Sequence, residues 1–283
     1  AFCQYEENGK LKRMVMKLKM IKRSYSLECK IAFLISLGYC GYFLYGYFKN
    51  PETIHDKSIF IGLAIFVSLF VMSLLGLLLG WEKREAINLD GWKYGHQDNN
   101  PDNQCILENG YLRIFTRANS VDRKKVHTVE RIYTTGRYTW RTHIPQMGIG
   151  DQCSVGSWIY HDDQHELDFE VGYGKDTVRK ELNAAPDEMI AYMTSQAYPF
   201  SSVPVVIKTG WHLFEIDLTL KNGNYYITWL IDNEPKHELQ LEFGKDIAFH
   251  IFCSVENLKF IGDQPAQQEN SGLFDFVRYT YHD

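Results

Sequence analysis

Residues 58–80 form 23 consecutive uncharged positions, mostly Ile, Leu, Phe and Val relieved by small side chains. About 20 such residues cross a hydrocarbon core as a helix, because a helix satisfies its own backbone polar groups where no water can. A second uncharged run, residues 31–48, has 18 residues but is diluted by Gly38, Gly41, Gly46 and several tyrosines. Tyr42, Tyr45 and Tyr47 sit where an interfacial aromatic belt would lie. The two runs, joined by a short link containing Pro51, predict two transmembrane α-helices in a hairpin. No small-x-small site follows the first run, which argues against a cleaved leader.

Charge gives the hairpin a direction. Residues 1–30 are a basic N-terminal segment with eight Lys/Arg against three Glu, and only Lys49 and Lys57 lie between the runs. Basic residues favour the cytoplasmic side, so the expectation is an integral membrane protein with a cytoplasmic N-terminus, lipid contact through two helices and a cytoplasmic soluble domain. If residues 31–48 do not insert, that domain is external. From residue 31 onward 22 basic residues face 32 acidic ones, so the chain lacks the clustered positive charge that tracks phosphates and no nucleic-acid partner is expected.

Residues 81–283 read as one all-β domain. Strand-like runs recur between turn signals at 110–116, 136–143, 154–160, 166–171 and 203–207, with further ones at 237–243, 249–255 and 274–281. The clearest hairpin joins 211–220 to 224–231 through Asn222 and Gly223, a pair suited to the positive φ of a tight turn. In its first arm Ile216, Leu218 and Leu220 share the packed face, while Glu215, Asp217 and Thr219 share the wet one. Only 186–194 suggests a helical turn or two. The class is therefore an antiparallel two-sheet sandwich.

The segment with chemical content is Glu166-Leu-Asp168-Phe-Glu170. Side chains alternate along a strand, so the three acids share one face while Leu167, Phe169 and Val171 share the other. At about 3.3 Å per residue the α-carbons of Glu166 and Glu170 lie roughly 13 Å apart, and two Glu side chains leaning together leave about the gap used by retaining glycosidases. Glu166 would then be the nucleophile, Glu170 the acid/base and Asp168 their helper. Like charges this close cannot all ionise normally, so at least one carboxyl is expected to have a raised pKa. A solvated acidic strand face gives the same pattern; the apolar opposite face and nearby aromatics favour a cleft. Trp158, Tyr160, His165 and Tyr173 are the candidate substrate-binding residues, although aromatic side chains in general are more often core than cleft.

Those residues resemble glycoside hydrolase family 16, whose active-site strand reads E-[ILV]-D-x-E. Weaker matches follow in order: Tyr133-Thr-Thr-Gly136-Arg137-Tyr138, Ser157-Trp158-Ile159, the run ending at Asp232, and Asp275-Phe-Val-Arg278-Tyr279. The resemblance implies a β-jelly roll over most of 88–283, acting as a retaining glycoside hydrolase or transglycosidase on a β-linked glucan or galactan. It also implies Glu166, Asp168 and Glu170 in the roles above. The aromatic run before the catalytic strand is reduced to Gly156-Ser157-Trp158, and a Gly-rich stretch near the C-terminus is replaced by Val255-Glu256-Asn257-Leu258-Lys259. The rival reading is a non-catalytic carbohydrate-binding module on the same scaffold, since a scaffold does not dictate its chemistry.

No cofactor is expected, and no metal site is read from the residues: on an extended strand His161 and His165 would stand too far apart to share an ion. A structural calcium ion is compatible with the resemblance, but no loop identifies it. Cys105, Cys153 and Cys253 are an odd set without C-x-x-C spacing, so neither a disulfide framework nor a zinc site is expected. H-E-x-x-H, G-x-S-x-G and Walker A motifs are missing, which removes protease, esterase and nucleotide-hydrolase readings.

Overall fold

The computed structural model describes residues 89–282 and a two-residue strand, β1 (Met16–Lys17). The two apolar runs and the expected boundaries at 30 and 80 lie outside the described residues. Among the described residues no helix is long and apolar enough to cross a membrane.

The strands form two sheets, and every strand pairing is antiparallel. The first runs β13 (Glu234–Gln240), β12 (Asn224–Ile231), β11 (Gly210–Lys221), β6 (Gly136–Ile144), β15 (Asn270–Tyr281), β4 (Tyr111–Thr116) and β3 (Cys105–Glu108), with β1 also on β15. The second runs β10 (Ser201–Lys208), β9 (Glu188–Ser195), β8 (His165–Gly172), β7 (Cys153–Asp162), β14 (His250–Asn257), β5 (Arg123–Thr128) and β2 (Trp92–His96). Consecutive neighbours such as β11–β12 and β7–β8 are combined with pairings between distant strands such as β6–β15 and β14–β5, as in a jelly roll. The protein is all-β in this region, a two-sheet sandwich.

Period-two alternation builds the core. Leu167, Phe169 and Val171 of β8 are buried against the other sheet, where Phe169 meets Phe214 with ring centroids 5.1 Å apart. Two buried indoles cross the interior: Trp140 Nε1 donates to Phe252 O at 2.9 Å and Trp229 Nε1 to Asp168 O at 3.1 Å. A buried indole N–H needs a partner, and here each partner is a backbone carbonyl of the opposite sheet.

The β11–β12 hairpin turns at Asn222 and Gly223, whose φ values of +56° and +86° are those of the tight turn expected. Its first arm differs from expectation at both ends. Glu215 is buried rather than wet, accepting a hydrogen bond from Thr139 Oγ1 at 3.1 Å, and Leu220 is 42% exposed because the hairpin tip projects past the core.

The segment expected to be helical, 186–194, is instead β9, hydrogen-bonded between β8 and β10. Its nearly unbroken burial gives the continuous apolar run of a central strand, which periodicity alone does not separate from a buried helix. Among the described residues a helix forms instead just before it, α1 (Asp176–Leu182), and ends at Asn183 in the left-handed region. The strand expected at 237–243 begins three residues earlier, because Asp232 and Asn233 both take positive φ and make another tight hairpin. Strands β2, β3 and β5 were not expected; β5, Arg-Lys-Lys-Val-His-Thr, hides its strand character behind charge.

Candidate active site

Acidic residues of β8 form the floor of a cleft of about 490 Å³ on the outer face of the second sheet. Glu166, Asp168 and Glu170 all line it, together with Trp158 and Tyr160 of β7, Phe252 and Glu256 of β14, and Arg123 and Lys125 of β5. Register explains the assembly: Tyr160, Trp158 and Gly156 pair with Glu166, Asp168 and Glu170, and Phe252 pairs with both Trp158 and His127. Residues directly opposite in a sheet point to the same side.

Gly156 gives Glu170 its space. A Cβ there would lie 2.9 Å from Glu170 Oε1 and would collide with Ser254 Oγ. Ser154 Oγ donates to Glu170 Oε2 from the neighbouring strand. Asp168 is 1% exposed; its Oδ2 accepts from Gln196 Nε2 at 3.2 Å, while Oδ1 is buried with no hydrogen-bond partner.

All three acids are held toward their protonated forms. Burial pushes Glu166 up to about 7, helped by the charge of Glu256 and opposed by Lys125. Burial takes Glu170 up to about 8, again with Glu256 raising it and the Ser154 hydroxyl opposing. Asp168 is raised well above the usual carboxylate range, by burial first and then by Glu166 and Glu170, against hydrogen bonds from Thr194 and Gln196. The repulsion expected of three neighbouring acids is present, but desolvation is the larger cause. A carboxyl still protonated near neutrality, beside one that can ionise, is the equipment for acid/base and nucleophilic work on one bond.

The expected substrate-binding residues divide. Trp158 stacks on Phe252, with centroids 3.9 Å apart and planes at 14°, and its Nε1 donates to Ser254 Oγ at 2.9 Å. Tyr160 stands edge-on to Trp158 and donates to Asp163 Oδ1 at 2.9 Å. Tyr173 is not in the cleft: it lies past the end of β8 in the core cluster, under the Arg179 guanidinium at 3.8 Å. His165 is also turned away, because it shares strand parity with Leu167; its Nδ1 lies 2.7 Å from Asp162 Oδ1 and its ring meets Phe243 edge-on.

The histidine distance is likewise corrected. The chain reverses between β7 and β8, which brings the rings of His161 and His165 to 5.8 Å. Among the described residues no group of three or more His, Cys, Asp or Glu could hold a metal ion. Cys105, Cys153 and Cys253 are buried free thiols.

Sequence reasoning missed Glu256, Arg123, Lys125, Phe252 and Gln196. Glu256 accepts from Arg123 Nε at 2.5 Å and from Lys125 Nζ at 2.6 Å. Alternation within β5 could have placed Arg123 and Lys125 on one face, but only the pairing of β5 with β14, about 130 residues away, brings them to Glu256.

No protein-family model matches the chain, and neither does any curated protein. Solved structures do. The laminarinase catalytic domain from Thermotoga maritima superposes with a TM-score of 0.51 at 16% identity, covering 70% of this chain and 94% of that one. The Crh5 transglycosylase gives 0.52 at 14% identity, covering 71% and 82%. This is their jelly-roll fold. The endo-1,3-β-glucanase from Streptomyces sioyaensis shares the jelly roll too, at a TM-score of 0.50, 14% identity and coverage of 69% and 91%. At such identities the likeness is one of fold, so the chemistry of this jelly roll rests on its own cleft.

Proposed function

We propose that this domain is a retaining glycoside hydrolase or transglycosidase acting on a β-linked glucan or galactan. The observation that carries the reading is the row of three acids on one strand face, lining a cleft and all biased toward protonation. In the mechanism it supports, Glu166 ionises and attacks the anomeric carbon, forming a glycosyl ester as Glu170 gives its proton to the departing oxygen. Glu170 then takes a proton from water or from an acceptor sugar, which displaces Glu166 with a second inversion. Asp168, lying between them and biased toward its protonated form, restrains the Glu166 carboxylate and limits the negative charge in the cleft. The stacked and largely buried rings of Trp158 and Phe252 add only their cleft-lining edges as apolar surface for a sugar.

We further propose that residues 31–48 and 58–80 anchor the domain in a membrane, on the cytoplasmic side by charge bias and on the external side if the first run does not insert. The test is to incubate the full chain, in detergent, with β-glucans and galactans while following new reducing ends and glycosyl transfer. Glu166→Gln and Glu170→Gln should each lower turnover by about 10²–10⁴. Glycan binding without turnover in the wild type would instead favour a carbohydrate-binding module.

A further inference from the structure

Strand β14 brings a fourth carboxylate to the cleft. Glu256 pairs across the sheet with Ser154, the residue whose hydroxyl donates to Glu170, so both side chains stand on the cleft side. The Glu256 side chain is 2% exposed and lies between two cations: Arg123 Nε meets Oε2 at 2.5 Å and Lys125 Nζ meets Oε1 at 2.6 Å. Lys125 is almost as buried; its ammonium also donates to Gln97 Oε1 at 2.7 Å and lies 5.0 Å from the centroid of the Trp158 ring. Buried charge persists when it is paired and hydrogen-bonded, as it is here.

We propose that Glu256 is a positioning residue: it fixes Lys125 and Arg123 within the cleft, and its carboxylate, held between these cations, governs when Glu166 and Glu170 release their protons. This rests on the reading of Glu166 and Glu170 as the reacting pair. Glu256 is the strongest charge acting on each of them, and Lys125 opposes it on both.

Other titratable groups face this cluster from the neighbouring elements. From β5, His127 is pushed down to about 4 by burial and is neutral above that. From β7, Tyr160 is raised to about 12 by burial and by Asp163, and stays neutral below it. From β2, His96 faces Asp98 at 3.6 Å, and beyond β7 Asp163 adds a negative charge near Glu166. Asp168 is raised well above the usual carboxylate range by burial and then by Glu166 and Glu170.

Removing the charge of Glu256 leaves Lys125 and Arg123 unbalanced, and both effects favour ionised Glu166 and Glu170. Glu256→Gln should therefore move both limbs of the pH–rate profile to lower pH by about one unit, a tenfold change in each proton equilibrium. Glu256→Asp keeps the charge and should keep the limbs. Lys125→Met removes the opposing cation and should move them to higher pH.

The decisive measurement does not need turnover. Full-length protein in detergent, labelled with ¹³C at glutamate carboxyls, is titrated by NMR, with Glu166 and Glu170 signals assigned by their loss in the Gln variants. Downward shifts of both midpoints in Glu256→Gln but not in Glu256→Asp support the proposal. Unmoved midpoints in a folded Glu256→Gln protein overturn it, even if glycans are cleaved. If Glu256→Gln does not fold, Lys125→Met decides by an upward shift or its absence. Shifted midpoints in a protein that cleaves no glycan would sustain the electrostatic role of Glu256 and remove the glycosidase reading alone.

Discussion

The proposed role of Glu170 as acid/base and its effect on stability have opposite signs. Its carboxyl sits at about 8 in the fold against an ordinary 4.5, so the folded state holds a proton that the unfolded chain releases between those values. The contribution of this group to stability is therefore complete below about pH 4.5 and is lost as pH rises through 8. Gln has no proton to lose. Glu170→Gln should unfold at higher urea than wild type at pH 8, by about 2–4 kcal/mol, with the difference vanishing toward pH 4.5. A variant equally or less stable at pH 8 would show that Glu170 is not strained by burial. Lys124 gives the contrary case. Its ammonium is fully buried and meets Asp98 Oδ1 at 3.1 Å as well as the carbonyl of Asn100. Burial raises the Asp98 carboxyl, but the N–H groups of Arg123 and Asn100 and the Lys124 ammonium together bring it below its ordinary value. Lys124→Met removes the buried cation of this pair and leaves the carboxylate to the two backbone N–H groups, and should cost about 3–5 kcal/mol in chemical denaturation.

Strand β7 shows how one element constrains another. Gly156 is bare because Ser254 and Glu170 close over it, so in Gly156→Ala the Ser254 hydroxyl must move and the Glu170 carboxylate must shift with it. Turnover should fall at least tenfold while the circular dichroism spectrum is retained; full activity would mean that Glu170 has room to spare. The same strands show which features are legible in the amino-acid order. Alternation is a local property, so Glu166, Asp168 and Glu170 can be placed on one face from their spacing alone, and Asn222-Gly223 announces its hairpin. Strand β9 is not legible because a strand buried on both faces has no alternation to read. The parity that puts three acids in the cleft also excludes His165, a consequence that nearness in sequence obscures. Spacing cannot join Glu256 to Arg123, since their meeting depends on which distant strands pair. Among the described residues, what stays hidden is what topology supplies.

The whole chain sets a domain with a polar cleft after two runs suited to lipid, and this arrangement makes a measurable claim. With both runs inserted, a Cys replacing the exposed Gln267 should resist a membrane-impermeant maleimide on intact cells; ready labelling, with an internal control protected, would place the domain outside. The domain's own thiols stay silent in that experiment, because burial raises Cys105 and Cys153 to about 12 and takes Cys253 well above the usual thiol range. The indole of Trp229 has an effect of a different kind. By bonding to the carbonyl of Asp168 it fastens the middle of the acid-bearing strand to the opposite sheet, while β7 and β9 hold that strand on both sides. Amides at the centre of β8 should be among the slowest to exchange with deuterium, opening only with the whole sandwich. A floor that cannot bend cannot adapt to a ligand of another shape, so any change in what the cleft accepts must arise at the rim, at positions such as Phe260 and Gln196, whose backbone lies outside the strands.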